Sequence, residues 1–158
     1  MDRSTAVREL LTHAWIPLIY EQKVRTQRTR SYSLEVPPRA NIAEIQYTLL
    51  GIELKVGKRR FTCPDLATAR YLRVFARLGC PNFAIPYDIT KISVIADELE
   101  TAWQKMLLVV EAESRDIPAA TKSRLQNQVL KAIRNEIDKI GAGTAMPDFK
   151  NETRQRNR

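Results

Sequence analysis

The sequence predicts an α+β fold: a small, mainly antiparallel sheet with a crossover helix, an N-terminal helix and a C-terminal helical hairpin. Three observations lead there. Period-2 alternation flanks a two-residue turn between residues 52 and 63. A helical stripe with a cationic opposite face follows at once. Beyond residue 88 the pattern becomes purely helical. A chain of 158 residues is long enough to bury one proper core. Residues 1–87 read as the α/β core, 88–141 as a helical hairpin packed on or appended to it, and 142–158 as a disordered basic tail.

Taken in order, residues 4–15 form an amphipathic helix capped by Ser4 or Thr5, with Val7, Leu10, Leu11 and Ala14 inward and His13 at its surface or edge. Residues 19–31 are polar and basic, either a flexible arm or a charged edge strand. Tyr32, Leu34 and Val36 alternate as a strand that Pro37 and Pro38 stop. Ile45, Tyr47 and Leu49 form another alternating run. The parity flip at Leu50-Gly51 then suggests a bulge or kink within one long strand, and a helix from Asn41 is the rival for residues 42–50.

The central unit is the best defined. Ile52, Leu54, Val56, Phe61 and Cys63 share a core face around a Gly57-Lys58 turn of type II′, and Glu53, Lys55, Arg60 and Thr62 share the other. Thr62 and Asp65 have capping-box spacing with Pro64 in the first turn, and a helix from about Asp65 to Leu78 ends at Gly79. Phe83 to Ile85 is a short buried strand, and strand–helix–strand suggests a right-handed crossover in which it pairs parallel to a hairpin strand. Asp88 or Thr90 caps a helix with Ile92, Ile95, Leu99, Ala102, Trp103, Met106 and Val110 inward. Pro118 opens a second, with Leu125, Val129, Ala132, Ile133, Ile137 and Ile140 inward and Gly141 at its end.

Charge is the main functional clue. The formal net charge is +8, and it is unevenly placed. Residues 53–80 carry seven bases against two acids, whereas residues 88–113 carry two bases against six acids. Lys58, Arg59 and Arg60 at the hairpin tip, Arg70, Arg73 and Arg77 along one helix face, and Arg25, Arg28 and Arg30 on the basic arm can form one phosphate-binding surface. No aromatic platform visibly interleaves with these bases, so the expected contact is with the backbone of a nucleic acid. The bland alternatives are a solvated arginine stripe, or one that pairs with the acidic helix of 88–113.

Other classes are less well served. With one histidine and two cysteines set apart by the central helix, neither a zinc site nor a disulfide is expected, and no cofactor is implied. No apolar run is long enough to cross a bilayer and no secretory h-region opens the chain, so a soluble, cytoplasmic protein without a membrane partner is expected; no catalytic motif is complete, and the expectation leans to a non-enzymatic role. The helical hairpin, with Trp103, Met106, Leu107 and Leu108, offers a broad apolar face for the core, a second copy or a protein partner.

The order helix, three strands, helix, strand, with Glu53-Leu54-Lys55 on a strand before the second helix, resembles the PD-(D/E)xK nuclease family. That resemblance, over about residues 4–87, implies a divalent metal held by Glu53 with Lys55 positioning the attacking water, or an inactive relative of such an enzyme. Of the remaining acids, Glu35 and Glu44 lie in the stretch where the family's second acid belongs, neither in a Pro-Asp context. Glu9 stands where the family often has a helix acid.

Overall fold

The structure is a computed structural model that describes residues 2–142. It is α+β, as the patterning predicts, with helices α1 (Arg3–Leu11), α2 (Ile16–Ile19), α3 (Leu66–Leu78), α4 (Ile89–Glu113) and α5 (Ala119–Ile140). Strands β2 (Ala43–Thr48), β3 (Gly51–Val56) and β4 (Arg59–Cys63) form one antiparallel sheet, and β1 (Thr29–Ser33) pairs with β5 (Asn82–Pro86) in another. The predicted tail lies outside the described residues.

The β3–β4 hairpin follows its sequence pattern. Gly57 has φ 60° while Lys58 keeps a negative φ, as a type II′ turn requires. Leu54, Val56 and Cys63 are buried under α3, and Glu53, Lys55, Arg60 and Thr62 face away from it. The preceding run differs from expectation. Residues 43–56 are neither a helix nor one bulged strand, because Leu49 and Leu50 form a two-residue turn that places Thr48 opposite Gly51. The Thr48 hydroxyl accepts the Leu50 N–H at 3.1 Å and donates to the Gly51 carbonyl at 3.1 Å, while Gly51 takes φ 126°. Thr48 and Gly51 thus supply the turn chemistry, and the leucines need none.

Asp65 is the N-cap of α3 rather than its third residue. Its carboxylate accepts from the Thr68 N–H at 2.7 Å, Pro64 precedes the cap, and Thr62 stays in β4 opposite Glu53. The other end is closed as expected by Gly79, at φ 82° and ψ 36°. There the Asn41 amide donates to the Ala76 carbonyl at 3.0 Å, which also accepts the Gly79 N–H at 3.1 Å, and Arg134 satisfies the orphan Leu78 carbonyl at 2.9 Å. A Cβ on Gly79 would overlap the Arg39 backbone. α3 is the hub: the three-stranded sheet lies on one side of it and α4 on another.

β5 does not pair parallel to a hairpin strand. It is antiparallel to β1, with Ser31 opposite Ala84. β1 supplies the ladder for β5, and the hairpin strands stay in a separate sheet; just beyond β1, Glu35 forms an ion pair with Arg59 of β4. Phe83 of β5 stacks on Phe75 at 4.2 Å between centroids, and Tyr32 stacks on Phe83 at 5.7 Å. The other edge of β5 is closed by side chains: the Ala84 N–H donates to the Tyr20 hydroxyl at 2.7 Å, and the Tyr71 hydroxyl donates to the Ala84 carbonyl at 2.6 Å.

Asp2, not Ser4 or Thr5, caps α1 and accepts the Thr5 N–H at 2.8 Å. Val7 and Leu11 are buried but Leu10 is exposed, because Thr12 (φ 49°) turns the chain out of the helix before a second turn of apolar contacts can form. The predicted arm is helical through a π turn at Tyr20–Val24 before it becomes β1. In α4, capped by Asp88, all seven predicted inward residues are buried, and Pro118 caps α5. These helices pack on α3 and α1 in one hydrophobic core, so their stripes, Trp103 and Met106 included, are used within the chain, while Leu108 is exposed. Cys63 and Cys80 are buried free thiols, and burial pushes Cys80 up to about 12. No helix among the described residues is long and apolar enough to cross a membrane.

Candidate nucleic-acid interface

The nine predicted basic residues fall into three groups that are not equally available. Along α3, the spacing of three and four puts Arg70 and Arg73 on the side that meets α4, where an acidic stripe faces them. Arg70 donates to Glu100 Oε1 from Nε at 3.1 Å and from Nη2 at 2.6 Å, and also pairs with Asp97. Arg73 donates to Glu100 Oε2 at 2.7 Å, and Arg77 to the Ala43 carbonyl at 3.3 Å. The Arg70 and Arg73 side chains are only 23 % and 24 % exposed. Burial alone would raise the Glu100 carboxyl, but the hydrogen bonds and charge of Arg70 and Arg73 outweigh it and hold that carboxyl below its ordinary value. The stripe joins two helices, as the acidic-helix alternative has it.

At the β3–β4 turn, Lys58, Arg59 and Arg60 are exposed; Arg59 pairs with Glu35, and Arg60 with Glu53 at 3.3 Å. Glu53 and Lys55 do share the sheet face turned away from α3, with Glu44 opposite Lys55 on β2. Glu9 lies exposed on α1, which packs on α4 and α5 rather than on this sheet. Among the described residues no group of three His, Cys, Asp or Glu side chains converges as metal ligands would. Glu53, Lys55, Glu35 and Glu9 are therefore not gathered into one donor set, and they do not fit a divalent-metal centre.

The third group is on and before β1. Arg25 turns inward to the Thr29 hydroxyl at 3.0 Å. Arg28 lies over the Tyr87 ring at 5.0 Å and Arg30 over Tyr32 at 5.7 Å. Both arginines are exposed, and neither has an ion-pair partner among the described residues. A guanidinium laid on a ring keeps its in-plane N–H fork open to an anion while the ring fixes its orientation. These platforms correct the expectation that aromatics do not interleave with the bases. Arg30 and Tyr32 are two apart on one strand and so share a face, a signal present in the sequence. Tyr87 meets Arg28 only because β5 returns beside β1, through the Tyr87 N–H donating to the Arg28 carbonyl at 3.2 Å.

The fold gathers this group at one end of the molecule. The start of β1 pairs with the end of β5, which leads directly into α4. Arg70 meets Asp97 and Glu100, and Arg73 meets Glu100, so α3 and α4 run in the same sense with both N-termini at this end. The Leu49–Leu50 turn is here too, because Ile52 pairs with Cys63. Exposed Leu49, Leu50, Tyr47, Leu66, Tyr87 and Ile89 thus lie at the same end of the molecule as Arg28 and Arg30. No protein-family model, no curated protein and no solved structure matches this chain.

Proposed function

We propose that the protein binds the phosphate backbone of nucleic acid, without catalysing a reaction on it, through the β1 end of the molecule. The observation that carries this reading is the pair of ring-stacked, exposed guanidiniums, Arg28 on Tyr87 and Arg30 on Tyr32, which form no ion pair among the described residues. Arginine forks match phosphate oxygens bidentately, and the tyrosine rings hold those forks in place. The net charge of +8 supplies long-range attraction for a polyanion. Lys58 is a further exposed cation at the β3–β4 turn, whereas Arg70 and Arg73 serve the α3–α4 junction and are not assigned contacts.

The test is fluorescence anisotropy with labelled single- and double-stranded DNA and RNA at about 50 and 200 mM salt. Binding through Arg28 and Arg30 is expected to weaken steeply with salt, and the double change Arg28→Ala, Arg30→Ala to reduce the log–log slope by about 2. Absence of binding at the lower salt, or a slope the double variant does not change, overturns the reading.

A further inference from the structure

We infer that the Leu49–Leu50 turn is a wedge that enters the base stack of a DNA duplex held by Arg28 and Arg30. The inference rests on the nucleic-acid reading above and names its substrate class. A two-residue hairpin turn ordinarily carries Gly, Asn or Asp. This one carries two leucines, with relative exposures of 105 % and 92 %, and the fold packs nothing on them. Six of the ten exposed large apolar residues among those described, Tyr47, Leu49, Leu50, Leu66, Tyr87 and Ile89, belong to this one end.

The turn is built to hold its leucines outward. The Thr48 hydroxyl bonds to both Leu50 and Gly51, and β2 and β3 pair without a gap from Thr48–Gly51 to Ala43–Val56. A stiff, apolar, narrow projection is what unstacks a base step, and proteins that kink DNA from the minor groove insert leucine among other apolar residues for that purpose. The turn and the start of β1 belong to separate sheets that end on the same side of the molecule, and a single duplex docked on that end meets both.

A continuous anionic plane such as a bilayer suits this end less well. The N-caps Asp65 and Asp88 stand among the same residues and would face it, whereas a DNA strand touches only at separate phosphates. Pyrimidine–purine steps unstack most readily, so the wedge is expected to choose them.

The experiment places 2-aminopurine at successive positions of a ~20-base-pair duplex with a central TA step, a readout of unstacking, and measures binding by anisotropy on the same samples. Wild-type protein is expected to raise the fluorescence several-fold at one step. Leu49→Ser with Leu50→Ser should abolish that rise while keeping the salt slope of binding, and its circular dichroism should match wild type. Duplex binding without a rise at any step, or a rise that the double serine variant retains, overturns the wedge and leaves the backbone reading standing. Failure of the wild type to bind any nucleic acid overturns both. Co-sedimentation with phosphatidylserine vesicles and sedimentation velocity then decide whether the turn serves a lipid surface or a second copy of the chain.

Discussion

Tyr20 and Tyr71 grip the same residue from one side: Tyr20 accepts the Ala84 N–H at 2.7 Å, and Tyr71 donates to the Ala84 carbonyl at 2.6 Å. Two hydroxyls thereby do for the inner edge of β5 what a neighbouring strand would do. Tyr20 also donates to the Gly141 carbonyl at 2.8 Å, tying the end of α5 to the same point. Tyr20→Phe strands a buried N–H and a carbonyl and is expected to cost about 2 kcal/mol, against about 1 kcal/mol for Tyr71→Phe, which strands one acceptor. Urea denaturation checks both values, and a Tyr20→Phe protein as stable as wild type would contradict this account.

The same two phenols set the alkaline limit. Burial raises both above the ordinary 10.0, Tyr71 by far the more. Because the folded values are raised, their contribution to stability is complete below about pH 10 and is lost as the pH climbs through the folded values. Absorbance titration is expected to show at least two of the five tyrosines ionising late and together with unfolding. Early, independent ionisation of all five would be inconsistent with burial of Tyr20 and Tyr71.

At the other extreme of pH, Glu100 contributes alongside the depressed N-cap carboxyls of Asp2 and Asp88. The depressed Glu100 carboxyl stabilises the fold above its unfolded value near 4.5 and loses that effect as the pH falls through the lower folded value. Glu100→Gln keeps the shape but weakens the bonds to Arg70 and Arg73, at an expected cost of roughly 2 kcal/mol at pH 7. Stability followed by urea denaturation from pH 7 to 3 should fall less steeply in the variant than in wild type.

Gly79→Ala tests the C-terminus of α3. The left-handed backbone costs an L-residue about 1–2 kcal/mol, and displacement of the Arg39 backbone adds about 1–3 kcal/mol. A Tm lowered by several degrees or more is expected, measured by thermal denaturation.

Where periodicity decided structure, the sequence was legible: the β3–β4 register, the span of α3, and the inward stripes of α4 and α5 all follow from it. What it could not convey were pairings between distant segments. β5 holds a run of buried apolar residues, and nothing in Phe83-Ala84-Ile85 names β1 as its partner. The Arg70–Arg73 stripe looks like an open cationic face until Glu100 is placed opposite it. The Leu49–Leu50 turn escaped notice because its turn-forming groups are the flanking Thr48 and Gly51. Of the candidate interface, Arg28 and Arg30 were visible as charges and the Arg30–Tyr32 spacing was readable, whereas the orientation of Arg28 by Tyr87 is a product of the fold.

Leu49 and Leu50 make no contribution to the interior, so the fold exerts no selection on them. Any residue tolerated by a two-residue turn between Thr48 and Gly51 would leave the core as it is. Polar replacements there would also make the protein less prone to stick to itself. A lineage that keeps leucine at both positions is therefore under pressure from outside the molecule, and one that drifts to serine or asparagine has shed that pressure. Variation at these two sites across related chains is thus a record of whatever meets the turn, written independently of stability.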